Sequence, residues 1–285
     1  MYKCLHCNKY FQNKRRKINF KKKLFKEYVW QRQTYSNLAN RYNRSKKWIQ
    51  FNLDEVEVKS IVKIQKRDII VVADVTYFSR QNGLCVFREP NLKKNIWWKF
   101  TDYERVRVYE QGKRCLKRNG FNIKAIILDG KRGVRQAFGN TPAQMCHFHQ
   151  KQIVRRYLTN SPKLEASIEL KEIVKTLANT NEEVFSEQLN NWYKKWKDFL
   201  KEKTTDSETD KWHFTHKRLR SAYRSLKNNL PYLFTYLKYP ELNIPNTTNS
   251  LDGYFSSLKS KLNVHRGLTK KRREKVVVEL LKGKN

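Results

Sequence analysis

Acidic side chains are scarce in this chain: 26 Asp and Glu stand against 62 Lys and Arg in 285 residues, a formal net charge of +36. An excess of this size, spread along the whole chain, implies a polyanionic partner, nucleic acid before a membrane surface, because no amphipathic basic helix dominates. Long apolar runs are missing too. No stretch approaches the roughly 18 apolar residues of a transmembrane helix. The N-terminal MYKCLHCNKYFQNKRRK has no apolar core of a secretory signal, so none is expected. Cysteines number five, two of them in one CxxC, which argues against a disulfide framework and for a reducing interior. What the chain does have is apolar substance: 39% hydrophobic residues, with 15 Tyr, 15 Phe and 7 Trp. That suffices for a packed core and excludes a disordered chain. The length fits one large domain or two to three smaller ones.

Residues 1–17 read as a cysteine knuckle running into a basic segment. Cys4-Leu-His-Cys7, followed by Tyr10 and Phe11, has the pattern of half a zinc ribbon. Tetrahedral Zn²⁺ takes four ligands, usually two CxxC pairs. Cys4 and Cys7 therefore need either His6 and a distant residue or a second knuckle, expected upstream; the alternative is a pair of reduced thiols. Residues 18–60 read as three helices, LFKEYVW, TYSNLANRYN and SKKWIQFNLDEV, with Thr34 and Ser45 as N-caps. This is the helix-turn-helix pattern, with Arg44, Lys46, Lys47 and Gln50 on the DNA-facing side of the last helix. An ordinary three-helix bundle has the same pattern.

From residue 66 the periodicity changes. RDIIVVADVTYF, GLCVFREP and KNIWWKFT read as three meandering strands, followed by a helix over Tyr103 to Asn119 with Gly120 at its end. NIKAIILD then reads as a fourth strand, GVRQAF as a short helix and AQMCHFHQ as a fifth strand. A helical crossover makes the fourth strand parallel to the first in a mixed sheet. Residues 151–244 read as an all-helical insertion, in which Trp192, Trp196 and Trp212 are expected in the core rather than as base-stacking platforms. A helix from near Ser250 and a basic tail helix complete residues 245–285.

Asp74 and Asp129 end apolar runs on the two strands that the crossover makes neighbours, so they are expected to emerge side by side. Asp252 lies in the downstream stretch NTTNSLDGYFSSLK. A carboxylate trio is what Mg²⁺ or Mn²⁺ needs for in-line attack on phosphate, two ions standing about 3.5–4 Å apart in such sites. Singly, each Asp also reads as a turn or cap residue. Glu241, in a Pro-flanked loop, is the other candidate for third ligand. Cys146-His-Phe-His149 is expected on the fifth strand, where a CxxH directs its two ends to opposite faces. A zinc half-site, a core pair and support for the acids all stay open. His265 is open between a DNA contact and a helix cap.

The element order, together with D74VTYF, ILD129G, Cys146-x-x-His149 and NTTNSLDGYFSSLKSKLNVHRGL, resembles the DDE transposases of Mutator-like elements and their bacterial insertion-sequence relatives. The resemblance extends to the CxxC and the helix-turn-helix, covers nearly the whole chain, and is most specific in the last block. It implies an α/β ribonuclease H-like core (66–150 and 245–285) with a mixed sheet and the helical insertion, preceded by the helix-turn-helix and a partial zinc ribbon. It implies a cytoplasmic, nucleoid-associated bacterial transposase that binds the terminal repeats of a mobile element. Asp74, Asp129 and Asp252 would hold Mg²⁺ or Mn²⁺, with Cys146 and His149 beside them. The site would cut double-stranded DNA to a free 3′-OH and join that end to target DNA, within a homo-oligomer. The absence of a Ser or Tyr nucleophile motif suits such a reaction. One departure stands out: the family's third carboxylate is usually Glu, and Asp252 is one methylene shorter. That removes about 1–1.5 Å of reach, and misplacement by about 1 Å can cost on the order of 100-fold in rate. An impaired or domesticated DNA-binding relative is therefore the alternative expectation, and a nuclease of the same fold without strand transfer is another.

Overall fold

The structure is a computed structural model that describes residues 2–11, 19–58 and 67–283. The later part of the expected basic segment (12–17) and the junction at residue 66 lie outside the described residues. In chain order the elements are β1 (Tyr2–Lys3), β2 (Tyr10–Phe11), α1 (Phe20–Trp30), α2 (Tyr35–Tyr42), α3 (Lys46–Asp54), β3 (Asp68–Ser79), β4 (Asn82–Glu89), β5 (Lys94–Thr101) and α4 (Val106–Arg118). They continue with β6 (Asn122–Leu128), β7 (Ala143–Met145), α5 (His147–Leu158), α6 (Glu165–Thr176), α7 (Glu182–Trp196), β8 (Lys203–Thr205) and β9 (Trp212–Phe214). Last come α8 (Lys217–Leu233), α9 (Thr235–Lys238), α10 (Asn249–Asn263) and α11 (Lys270–Lys282). The chain forms two compact units, one of Met1–Ile61 with Ser256–Asn285 and one of Val62–Phe255. The boundary falls inside α10, so the tail that the sequence groups wholly with the sheet is divided between the two.

In the first unit, the hydroxyls of Thr34 and Ser45 accept the backbone N–H of Asn37 and Trp48 and cap α2 and α3. Asn43 ends α2 at φ 48°, a left-handed conformation that Asn tolerates better than most residues. Leu24, Tyr28, Leu38, Ile49 and Leu53 are buried here, as are Val276, Val277, Leu280 and Leu281 of α11. Arg272 forks onto Asp54 at 2.9 and 2.6 Å, which holds the Asp54 carboxyl below its ordinary range. Lys275 donates to the Leu53 carbonyl at 3.2 Å, satisfying the C-terminal end of α3. His265 proves to be a core residue: it is 6% exposed, its ring lies 4.1 Å from that of Tyr28, and among the described residues its Nδ1 has no hydrogen-bond partner.

The second unit is α/β, built on a mixed five-stranded sheet of order β5-β4-β3-β6-β7. β3, β4 and β5 are antiparallel neighbours, whereas β6 and β7 run parallel to β3. One face, carrying Ile69, Val71, Ala73, Cys85, Phe87, Ile126 and Leu128, packs on Val108, Tyr109 and Leu116 of α4. Gly112 of α4 sits against the Phe87 ring, and a Cβ there would stand 2.7 Å from it. Close approach of helix to sheet explains this glycine, at the usual helix penalty of roughly 1 kcal/mol.

The insertion has its own core, with Leu170, Phe185, Leu189, Trp192, Leu226 and Phe234 buried. Three expectations fail in this unit. The insertion is not all-helical, because β8 and β9 pair as a hairpin whose turn is closed by Asp206 accepting the N–H of Glu208 and Thr209. Trp212 is on that hairpin, 57% exposed, while Trp192 is in the core. The fifth strand also stops short. β7 ends at Met145 because β6 itself ends at Leu128, and α5 starts at His147. Among the described residues no helix is long and apolar enough to cross a membrane.

Burial holds the His265 imidazole down at about 4, against 6.5 when free. The unfolded chain therefore binds a proton that the folded chain excludes, and stability falls as pH drops from about 6.5 towards 4. Thermal melts over that range should show this loss, and His265→Phe should flatten it; an unchanged slope in the variant contradicts the assignment.

Candidate active site

The register of β3 and β6 decides where the first two aspartates point. Ile69 pairs with Ile123 but Ile70 pairs with Ala125, so β6 carries a bulge at Lys124. Side chains alternate along a strand, and one extra residue moves everything after it to the opposite face. After the bulge, Ile126 and Leu128 join Ile69, Val71 and Ala73 on the α4 face. Ile127 pairs with Val72 on the other face, and that register continued by two residues brings Asp129 alongside Asp74. β3 runs on past Asp74 to Ser79, paired with β4 alone, since β6 has ended. Asp74 thus stands within a strand rather than at its end, where one neighbouring strand has stopped.

α10 lies on this same face. Val72 pairs with Arg88 of β4, and the Arg88 guanidinium sits 4.9 Å from the Tyr254 ring of α10. Two residues earlier on α10, Asp252 adds its charge to that of Asp129 at Asp74. Burial is the main cause, and those two like charges add to it: the Asp74 carboxyl is pushed up to about 7. The N–H of Val75 at 2.7 Å and the His149 imidazole work in the opposite direction. Asp129 accepts the N–H of Lys131 at 2.9 Å in a turn that Gly130 makes with φ 91°.

The CxxH motif joins this cluster because it is helical. Cys146 is the N-cap of α5 and His149 lies in its first turn. Residues three apart on a helix are neighbours, whereas on the expected strand they would have diverged. Thr248 ties the motif to Asp252. Its hydroxyl donates to Asp252 Oδ2 at 2.8 Å and lies 3.4 Å from His149 Nδ1 and 3.3 Å from Cys146 Sγ. Its backbone N–H also donates to that sulfur at 3.3 Å. Since the one hydroxyl proton goes to Asp252, Thr248 accepts from His149. His149 is accordingly held protonated, pushed up to about 9 by its hydrogen bond to Cys146 and by the charges of Cys146, Asp74 and Asp129. Burial raises the Cys146 thiol, but the hydrogen bonds from His149 and Thr248 outweigh it and leave the thiol below its ordinary value. His147 points elsewhere: it is buried, with Nε2 2.6 Å from the Leu233 carbonyl.

Two contributors have weak signals in the sequence. Thr248 could be found from its place four residues before Asp252, one helical turn away. Glu104 carries no pattern signal, yet burial and the Asp129 charge raise its carboxyl, which accepts from Tyr109 Oη at 2.9 Å. Glu241 is exposed in a short turn (Pro240–Leu242) and does not join the cluster contacts.

The other predicted residues belong to the first unit. Arg44, Lys46 and Lys47 are exposed and Gln50 is half-buried on α3, with Arg44 5.7 Å from the Trp48 ring. Cys4 and Cys7 flank the turn of the β1–β2 hairpin, closed by the Asn8 N–H donating to Cys4 O at 2.9 Å. The N–H groups of Cys7 and His6 lower the Cys4 thiol. Among the described residues, no three His, Cys, Asp or Glu side chains form a group ready to hold a metal ion. Comparison of the chain with the models of known protein families and with curated proteins finds no match.

A carboxyl held at about 7, against 3.8 when free, makes the folded state bind the extra proton. The stability it carries is present at low pH and is lost as pH rises from about 4 to 7. Asp74→Asn should therefore stabilise the metal-free protein at pH 8 by roughly 1–3 kcal/mol and change little at pH 4. Thermal melts in chelator check this, and a variant less stable than wild type at pH 8 contradicts it.

Proposed function

We propose that the protein is a DNA transposase with a ribonuclease H-like core, acting on the ends of a mobile element by metal-dependent cleavage and 3′-OH strand transfer. The observation that carries this reading is the convergence of Asp74, Asp129 and Asp252 on one sheet face, in a chain of net charge +36. The strand order, a three-stranded antiparallel meander continued by two parallel strands, supports the core assignment.

The donors are all carboxylate oxygens, which suit Mg²⁺ or Mn²⁺. The Asp74 carboxyl is raised first by burial and then by the charges of Asp129 and Asp252, and a dication would offset both. Asp74 and Asp129 from the sheet and Asp252 from α10 would hold the ions. When bound, such ions supply activation of the attacking hydroxyl and stabilisation of the leaving oxygen. The chain's own contribution is positional: Thr248 fixes Asp252, and the cationic His149 offers a non-bridging phosphate oxygen a charged donor. Arg44, just before α3, and Lys46, Lys47 and Gln50 on α3 would follow DNA as the last helix of a helix-turn-helix. Cys4 and Cys7 supply two of the four ligands Zn²⁺ needs, so a zinc ribbon requires further ligands.

The second reading, a DNA-binding relative that no longer cuts, is favoured by Asp252. Its carboxylate is shorter than Glu and already accepts from Thr248 at 2.8 Å.

Labelled duplexes taken from both sides of the gene, incubated with Mg²⁺ or Mn²⁺, separate the readings. A transposase should leave 3′-OH ends at the repeats and joined products, with Asp74→Asn and Asp129→Asn each losing at least about 100-fold while still binding. Binding of the ends without cleavage supports the non-cutting relative, and cleavage indifferent to repeats without joining supports a nuclease. Replacing Arg44, Lys46 and Lys47 together by Ala should lower the salt slope of duplex binding by about 2–3, read by titration at several salt concentrations; an unchanged slope removes α3 from the interface.

A further inference from the structure

Arg135, on the crossover between β6 and β7, is a half-buried guanidinium without an acid. Its Nη2 donates to Asn229 Oδ1 at 3.2 Å and its plane lies 3.6 Å from the Tyr232 ring. Both partners are neutral, and among the described residues no carboxylate forms an ion pair with it. Buried cations are normally paired, because an ion removed from water without a counter-charge is costly. Burial accordingly lowers the Arg135 pKa from its ordinary value, and Tyr232 opposes this only in part. Asn229 is itself anchored by Gln150, a fully buried residue that accepts from its amide at 2.8 Å. The guanidinium is therefore held in place by neutral groups rather than neutralised.

It lines a cavity of about 410 Å³ whose walls contain no Asp or Glu. The polar groups around it that are free to donate are Lys238, Gln136, Asn140 and Thr141, the Thr235 hydroxyl being spent on the Ala143 carbonyl at 2.7 Å. Lys238 takes its counter-ion, Glu182, from α7, which does not line the cavity, at 2.6 Å. A pre-positioned guanidinium, a second cation and a rim of amides and a hydroxyl form a donor set for a tetrahedral oxyanion. The volume admits a phosphate with an attached sugar, at the lower end of ordinary ligand sites. The cavity extends to Pro142 and Ala143, where β7 begins. β7 begins opposite Ile126 and ends opposite Leu128, the residue before Asp129, so the start of β7 at this cavity lies about three residues, roughly 10 Å, along the sheet from the level of Asp129.

We propose that this cavity is an anion site for a phosphate group, separate from the carboxylate centre, and that it holds one phosphate of a nucleic-acid backbone. The backbone source rests on the nucleic-acid reading above; the anion site itself does not. Duplex binding, measured in chelator across a salt series, tests the first, using wild type, Arg135→Gln, Arg135→Lys and Gln136→Glu. Gln136 is exposed, so Gln136→Glu adds a repelling carboxylate at the rim without disturbing the core. Arg135→Gln should lower the salt slope by about 0.9 and weaken binding several-fold, Gln136→Glu should weaken binding likewise, and Arg135→Lys should keep the slope. If Arg135→Gln and Gln136→Glu both bind as wild type does, the backbone source is overturned. Calorimetric titration with inorganic phosphate at low ionic strength tests the second and needs no DNA binding. Heat present in wild type and lost in both Arg135→Gln and Gln136→Glu supports the anion site even if the protein binds no DNA; no heat in wild type, or equal heats in all three, overturns it.

Discussion

The parallel pairing of β3 with β6 is the constraint on which the rest of the carboxylate centre depends. Its bulge at Lys124 matters as much as the pairing. With a regular register Asp129 would point into the α4 core, because Ile123 before the bulge already faces that way. One inserted residue turns Asp129 out to the face where Asp74 lies, and the early end of β6 leaves room around Asp74. α10 then adds Asp252, and the helical start of α5 brings in Cys146 and His149. Each contribution is a consequence of where a strand or helix stops.

Charge is organised along the same lines. Acids are few, yet Asp74, Asp129, Asp252 and Glu104 crowd one end of the sheet, and Asp74 and Glu104 are raised by burial and by their neighbours. Such a cluster makes sense where a cation is to be received. The protonated His149 adds a positive group beside it. Arg135 presents the complementary case, a half-buried cation that among the described residues has no carboxylate partner.

Much of this was legible in the sequence, and for identifiable reasons. The strands around Asp74 and Asp129, the caps Thr34 and Ser45 and the crossover helix all follow from local periodicity and capping chemistry. What stayed hidden depends on pairing partners. AQMCHFHQ reads as one strand, but β7 loses its neighbour when β6 ends, and only that fact makes CxxH helical. The bulge at Lys124 cannot be read from NIKAIIL alone, because it is defined by the register against β3. His265 looks like a surface histidine in a basic tail, and its burial against Tyr28 depends on a residue more than two hundred positions away. The β8–β9 hairpin rests on three-residue strands, too short for periodicity to separate from helix.

The central claim is that the three aspartates form one cation-binding centre, and direct titration of Mn²⁺ into the chelator-stripped protein tests it most plainly. The account predicts binding that Asp74→Asn and Asp129→Asn each weaken at least tenfold, with a smaller loss for Asp252→Asn, whose carboxylate is shared with Thr248. Mn²⁺ binding equal in wild type, Asp74→Asn and Asp129→Asn, or absent from wild type, would contradict it.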